Sequence, residues 1–211
     1  MQRLREPRKA RGGFTLLETM VALAIMGIVL AAGVPSMSAW IFAGRAAAAG
    51  QFYAEGLALA RSQALTHNSA SRLVLLENPG KLLNWRVDIC FPRPDTPCDE
   101  ISSNWSTVTA PAAGDGEGTA GFLSVLRRSD ALPPATQLAQ VVGPDEARAV
   151  YFTPMGWVNP AIAPRIERIN LTPAGRQAGA APAGAVVLTL AGIATRCKPG
   201  VPSTDTQRCP P

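Results

Sequence analysis

A long apolar stretch near the N-terminus constrains this chain more than any other feature. Residues 20–34 include no charged residue, and the apolar character extends back to Phe14 and on to Phe42. Because about 20 apolar helical residues cross a bilayer, the stretch predicts a helix whose first half, residues 14–40, spans a membrane. A single carboxylate, Glu18, interrupts the stretch close to its start.

A short basic arm precedes this stretch. Residues 1–13 carry five cations and one anion, whereas the rest of the chain holds 15 cations and 14 anions. Most of the net charge of +5 therefore lies in the arm. A basic arm stays on the cytoplasmic side of a membrane and leaves the remaining chain on the far side. A secretory signal peptide is the alternative, but its apolar core is typically about 7–15 residues long, and no small-x-small cleavage site is evident here.

A simple membrane anchor does not explain Glu18. An ionisable group near the edge of a bilayer is costly unless it is paired. Cleavage after Gly13 would leave an α-amino group on Phe14, and this cation would lie close to Glu18. An amine supplied by a neighbouring subunit would make Glu18 an assembly residue.

The segment "GGFTLLE", residues 12–18, resembles the N-terminal signal of type IV prepilins and type II secretion pseudopilins. In that family a basic leader ends in Gly and is followed by Phe-Thr-Leu-(Leu/Ile)-Glu and an apolar helix. The resemblance implies that prepilin peptidase cuts after Gly13, that Phe14 becomes the N-methylated N-terminus, and that Glu18 serves assembly. Pro35 stands where the family often carries a helix-kinking proline.

Beyond residue 40 the pattern predicts the second half of the same helix. The face formed by i, i+4, i+7 and i+11 is apolar and predicts burial; it consists of Tyr53, Leu57, Ala60 and Ala64. We expect the helix to end near Asn68, because Asn can adopt the left-handed conformation of a C-terminal cap.

Short β-type segments follow from Ser71. Two precede a loop over residues 91–120 that is rich in Pro, Gly, Ser and Thr. Five more follow it, at "GFLSVLR", "ATQLAQVV", "RAVYFT", "RIERINL" and "AVVLTLAG". A helix followed by about seven to eight short strands predicts an α+β fold, in which a long N-terminal transmembrane/amphipathic helix packs on an antiparallel β-sandwich. The chain would then comprise a leader (1–13), a helix (14–68) and a periplasmic β-domain (69–211).

Four cysteines form two close pairs in sequence, Cys90 with Cys98 and Cys197 with Cys209. Several disulfide connectivities are open on sequence grounds. An exported domain with an even cysteine count favours disulfides, and local pairing would stabilise each loop by roughly 2.5–3 kcal/mol. Zinc is the alternative, but the spacings exceed the usual two to four or so residues, and the sole histidine, His67, is distant in sequence.

Softer motifs resemble the GspH/FimT branch of minor pilins. They are "ALARSQALTHN" at the helix end, a Cys-x7-Cys loop, "FTPMGWV" and the closing "VVLTLAGIATRCKP". The resemblance implies a minor pilin or pseudopilin at the tip or initiation complex of a type II secretion pseudopilus or type IV pilus. Its partners would be prepilin peptidase, other minor and major pilins or pseudopilins, and the bacterial inner membrane, crossed once with the C-terminal domain in the periplasm. The motifs do not separate secretion from piliation.

No arrangement of side chains suited to catalysis is visible, so we expect a protein that is not an enzyme and needs no cofactor or metal. A nucleophilic triad requires a base, and His67 stands at the expected helix end, where it complements the helix dipole. Asp115 and Glu117 in a glycine-rich loop are a calcium candidate, but Ca²⁺ takes about six to eight oxygen ligands.

DNA is the alternative partner, because some FimT-type minor pilins act as DNA receptors in natural transformation through C-terminal basic residues. The candidate cations here are Arg176, Arg196, Lys198 and Arg208. They would contact phosphates without reading the base sequence. The branch often has Gly-Arg-x-Arg after its last strand, whereas this chain has Ile193 in place of the first arginine, which weakens the DNA interpretation.

Overall fold

The computed structural model describes residues 13–210, and the chain divides into two compact units at Met1–Ser38 and Ala39–Pro211. The described part contains one α-helix, two short 3-10 turns and eight β-strands. They are α1 (Leu16–Thr66), β1 (Ala70–Glu77), β2 (Leu83–Cys90), a 3-10 turn (Gly118–Ala120), β3 (Val125–Arg127), β4 (Leu138–Gly143), β5 (Ala149–Phe152), β6 (Arg168–Pro173), a second 3-10 turn (Gly175–Gln177), β7 (Gly184–Leu188) and β8 (Ala194–Cys197).

The first unit carries the start of α1 and an exposed apolar surface. Every large apolar side chain that the structure describes between Phe14 and Met37 is more than half exposed. Within the described part of the chain, no helix is both long and apolar enough to cross a membrane. The membrane-spanning half over residues 14–40 stays a prediction from the sequence. α1 continues through position 35, and the kink at Pro35 stays a prediction.

α1 ends in the left-handed cap that the sequence predicts. Asn68 has a φ of 44°. Its N–H donates to Leu65 O at 3.4 Å, and Ser69 N–H donates to Ala64 O at 3.1 Å. These two bonds form a Schellman motif, which satisfies carbonyls at the helix end that have no partner inside the helix.

Two four-stranded antiparallel sheets follow α1. The first has the order β3-β2-β1-β5 and the second the order β4-β6-β7-β8. The count of eight agrees with the expected seven to eight strands, and seven of the eight lie in segments for which strands were predicted. β8 was not predicted as a strand, because it is short and two of its four residues are exposed, which hides the alternation.

The second half of α1 packs into one core with both sheets. All four residues of the predicted stripe, Tyr53, Leu57, Ala60 and Ala64, are almost fully buried. They belong to a single apolar cluster with residues such as Leu73 of the first sheet and Ile169 of the second. The predicted amphipathic face is therefore confirmed.

A polar contact at the centre of this core joins α1 to both sheets. Tyr53 Oη lies 2.9 Å from Leu83 O of β2 and 2.8 Å from Gln140 Oε1 of β4, so its one hydroxyl proton has two acceptors. Gln140 Oε1 also accepts the N–H of Leu83 at 3.0 Å. Burial raises the pKa of Tyr53, so the phenol stays a donor at all physiological pH values.

The loop after β2 folds over the outer face of the first sheet. The disulfide Cys90–Cys98 closes its start. Trp105 is buried against Tyr151 of β5, with ring centroids 5.8 Å apart, and its Nε1 donates to Asp99 O at 2.7 Å. Trp105 thus covers part of the face of the first sheet on which Tyr151 lies.

Beneath this loop lies a buried carboxylate with two arginine partners. Asp88 is fully buried; Arg72 Nε donates to its Oδ2 at 2.9 Å, and Arg86 Nε donates to its Oδ1 at 2.7 Å. The register aligns Asp88, Arg72 and Tyr151 across three neighbouring strands. Arg72 also stacks over the ring of Trp105, with Cζ 4.3 Å from the ring centroid. The ion cluster thereby ties the covering loop to the sheet.

Gly56 sets the distance between α1 and the first sheet. A Cβ built on Gly56 would lie 2.8 Å from Trp85 Cδ2 and 2.9 Å from Leu73 Cδ1. We therefore expect Gly56→Ala to destabilise the fold by about 1–3 kcal/mol through overpacking. The matched control is Gly44→Ala, where a Cβ meets nothing within 4 Å on the same helix. Urea unfolding should show this control as neutral or stabilised by up to about 1 kcal/mol, and equal effects of the two changes would contradict the close-contact argument.

The cluster at Asp88 generates a second stability prediction. Asp88→Ala leaves two partly buried guanidinium groups without their carboxylate, and we expect a loss of about 3–5 kcal/mol in urea unfolding. Glu167→Ala is the control, because Glu167 pairs with Arg165 at 3.0 Å but is 55% exposed. An exposed pair contributes about 0–1 kcal/mol, so a similar loss in both variants would refute the role given to burial.

Candidate functional site

The start of α1 is organised by Thr15. α1 begins at Leu16, so Thr15 is the N-cap residue. Its Oγ1 accepts the N–H of Glu18 at 3.3 Å, and its carbonyl accepts the N–H of Thr19 at 3.2 Å. Thr15 and Glu18 thus have the spacing of a capping box, in which the N-cap side chain satisfies a free N–H of the first turn.

Glu18 therefore has a local role that the sequence interpretation missed. It is the acidic residue of the first turn of α1, where a negative charge is stabilised by the helix dipole. The sequence does contain the signal of a capping box, Thr-x-x-Glu at residues 15–18. The prediction of a membrane span considered only the charge of Glu18. Any test of Glu18 in assembly has to separate its charge from its place in the helix cap.

The residues at the expected cleavage site are exposed and lie outside the helix. Gly13 and Phe14 precede α1, and Phe14 is 81% exposed. A Cβ added to Gly13 would meet nothing within 4 Å. The described structure therefore gives no packing reason for glycine at position 13. Residues 1–12, which hold the basic arm, lie outside the described residues.

The second sheet brings the candidate DNA-binding cations towards one of its ends. Cys197 pairs with Ala185, and Leu171 pairs with Gly184, so the end of β8 lies at the same side of the sheet as the end of β6. The four cations are distributed along that side, with Arg176 just after β6, Arg196 in β8, Lys198 just after β8 and Arg208 in the tail.

The C-terminal tail is held against β8. The disulfide Cys197–Cys209 closes it into a loop, and both cysteines are buried with Ala185. Lys198 N–H donates to Gln207 O at 2.6 Å, and Cys209 N–H donates to Lys198 O at 3.3 Å. The tail therefore fixes the backbone of Lys198 beside that of Arg208, while Arg208 stays exposed.

A groove lies between α1 and the second sheet, next to this tail. It encloses about 620 Å³. Small residues of α1 form one wall, at Ala43, Ala46, Ala47 and Gly50, and Arg196 and Lys198 line the opposite side. Arg196 reaches towards the helix, because a Cβ on Gly50 would lie 3.6 Å from its Cδ.

The other residues considered from the sequence, His67 and Asp115, contact neighbouring residues of the fold. The His67 ring packs beside Phe122, with ring centroids 5.3 Å apart, at the C-terminal end of α1. Asp115 accepts the N–H of Glu117 at 3.0 Å and the N–H of Phe122 at 3.1 Å, so both its carboxylate oxygens organise the loop backbone. Asp115 thus organises the turn in which it lies.

Comparison with known proteins bears on the N-terminal segment. Residues 8–34 match the model of the prokaryotic N-terminal methylation motif. No curated protein and no solved structure matches the chain significantly. The matched residues include the exposed Gly13–Phe14 bond and the capped first turn of α1. This motif indicates the type IV pilin-like proteins, a family that includes the pseudopilins.

Proposed function

We propose that the protein is a minor pilin or pseudopilin of the GspH/FimT type. Prepilin peptidase cuts its leader between Gly13 and Phe14, and the new N-terminus is methylated. The precursor is anchored at the bacterial inner membrane with its C-terminal domain in the periplasm. The mature subunit then joins the tip or initiation complex of a type II secretion pseudopilus or a type IV pilus.

The observation that carries the proposal is the methylation motif over residues 8–34. The geometry around it supports cleavage, because a protease needs an exposed, non-helical substrate, and Gly13 and Phe14 satisfy both conditions. The exposed apolar side chains between Phe14 and Met37 supply the surface that neighbouring subunits would cover. An apolar surface of this extent marks an interaction site in a native protein.

Glu18 is the assembly residue in this proposal. Its charge is tolerated at the helix start in the free subunit, because the helix dipole stabilises it. In the filament, where apolar side chains exclude water, a carboxylate needs a cationic partner. The α-amino group of Phe14 from a neighbouring subunit would supply this partner.

We expect Glu18→Gln to separate the two roles of this residue. Glutamine keeps the capping-box chemistry but carries no charge. If the charge pairs with a neighbour, both Glu18→Gln and Glu18→Ala should be cleaved and membrane-associated yet fail to enter filaments. Processing is measured by mass spectrometry of the N-terminus, and incorporation by immunoblotting of the filament fraction.

The matched control for this experiment is Thr15→Ala. It removes the cap, at a cost of about 0.5–2 kcal/mol to the first turn, and leaves the charge of Glu18 in place. We expect it to be incorporated. Normal incorporation of Glu18→Gln would refute the pairing, whereas an uncut precursor in the wild-type chain would refute the proposed processing itself.

A second candidate function, DNA capture during natural transformation, is supported by the tail. Lys198 and Arg208 lie inside the loop that the disulfide Cys197–Cys209 closes, and Arg196 immediately precedes this loop. Phosphate contacts of this kind give affinity that falls steeply with salt.

The test is a gel shift with the full chain and duplex DNA at low and high salt. We expect a variant with Arg196, Lys198 and Arg208 changed to Ala to bind at least about tenfold more weakly, with a reduced salt slope of the binding constant. The control changes Arg127, Arg128 and Arg148, which lie outside the tail, to Ala. An equal loss of DNA affinity in both variants, or no salt-dependent shift with the wild type, would refute DNA binding by the tail.

A further inference from the structure

The groove between α1 and the second sheet combines apolar walls with cations on one side. Small residues of α1, which include Ala46 and Ala47, form one wall, and Arg196 and Lys198 line the opposite side. All of the lining residues belong to the compact unit that begins at Ala39. The groove volume of about 620 Å³ falls in the range of roughly 300–1,000 Å³ found for ligand pockets. The groove can therefore take a ligand group of substantial size.

The positive charge of the groove is not balanced by protein carboxylates. No Asp or Glu is among the residues that line it. In the part of the chain that the structure describes, the ion pairs centre on Asp88 and Glu167, and none of them involves Arg196 or Lys198. The adjoining tail contains one acid, Asp205, whose Oδ1 accepts a backbone N–H of the tail at 2.8 Å. An anionic ligand therefore supplies the charge that the groove lacks.

The walls select an anion that carries an apolar group. Leu171 of β6 and the segment 181–183 line the groove together with the alanines of α1. Inorganic phosphate or the backbone of DNA would satisfy the cations but would leave these apolar walls in contact with water. A phospholipid supplies both parts, because its phosphate can accept a bidentate pair of hydrogen bonds from arginine and its acyl chains can cover the apolar walls.

The groove also lies close to the end of the proposed membrane segment. That segment is assigned to residues 14–40, and Trp40 is 77% exposed, a residue type that is enriched at membrane–water interfaces. Along α1, Ala43 follows Trp40 by about 5 Å, and Gly50 follows it by about 15 Å. The exposed Arg45 lies on the same stretch of helix. Cations beside a membrane segment attract anionic lipid headgroups.

We propose that this groove binds an anionic phospholipid of the membrane that anchors the precursor. The inference rests on the proposed function, because that function places residues 14–40 in the membrane. Arg196 and Lys198 hold the phosphate, and the apolar walls take the glycerol and the first carbons of an acyl chain. The bound lipid holds the folded unit at the membrane surface until the subunit leaves for the tip or initiation complex.

A photoreactive lipid tests the inference in the full chain. The chain is reconstituted into phosphatidylcholine vesicles with a small fraction of phosphatidylglycerol that carries a diazirine at the start of one acyl chain. After irradiation, trypsin separates the peptide 12–45, which holds the proposed membrane segment, from the groove peptides 46–61 and 177–196. We expect label in all three peptides. A phosphatidylcholine probe with the same diazirine should label 12–45 equally and the groove peptides at least about tenfold less.

Removal of the groove cations should remove only the groove label. Arg196→Ala combined with Lys198→Ala should lower the label on 46–61 at least about tenfold and leave the label on 12–45 unchanged. The matched control combines Arg127→Ala with Arg128→Ala, because these two exposed cations carry the same charge and lie outside the groove. Arg196→Lys combined with Lys198→Arg keeps both charges and should keep the groove label, which separates the charge from any effect on folding.

Several outcomes would overturn the inference. Equal labelling of 46–61 by the two probes, or an equal loss in the two alanine variants, would show that the label does not depend on the headgroup or on the groove cations. Loss of the groove label when inorganic phosphate or duplex DNA is added at the phosphate concentration of the probe would assign the cations to that ligand. An unlabelled 46–61 beside a labelled 12–45 would refute lipid binding and leave the membrane anchor intact. An unlabelled 12–45 would contradict the membrane segment of the proposed function and, with it, the inference.

Discussion

The fold depends on the contact that Tyr53 makes at the centre of the core. Its hydroxyl meets a carbonyl of the first sheet and a side chain of the second, while its ring is buried with the apolar face of α1. A buried hydroxyl without a partner would cost about 1–3 kcal/mol, so this contact specifies where α1 lies relative to both sheets. The close approach at Gly56 then follows, because only glycine fits between α1 and the rings and methyl groups of the first sheet.

The sequence predicted the parts of the fold that rest on periodicity. The buried stripe of α1, the left-handed cap at Asn68 and seven of the strands follow from local pattern and turn chemistry, which need no knowledge of distant residues. β8 was not predicted, because two of its four residues are exposed and its sequence shows no clear alternation. The ion cluster at Asp88 was not predicted either, because Arg72 and Asp88 become neighbours only through the β1–β2 register.

The candidate site was predictable in a different way. Gly13, Phe14 and Glu18 are recognisable as a motif, and the matching family model covers the same residues. The Thr-x-x-Glu spacing inside this motif also indicates a helix cap, in which Thr15 Oγ1 accepts the backbone N–H of Glu18. The dipole of α1 stabilises the carboxylate of Glu18 in the free subunit. The precursor can therefore be stable before a neighbouring subunit supplies a cationic partner.

The C-terminal cations of the candidate DNA surface depend on the tail for their positions. Arg196 and Lys198 line the groove between α1 and the second sheet. The disulfide Cys197–Cys209 fixes the tail beside β8, and the backbone of Lys198 therefore lies beside that of Arg208.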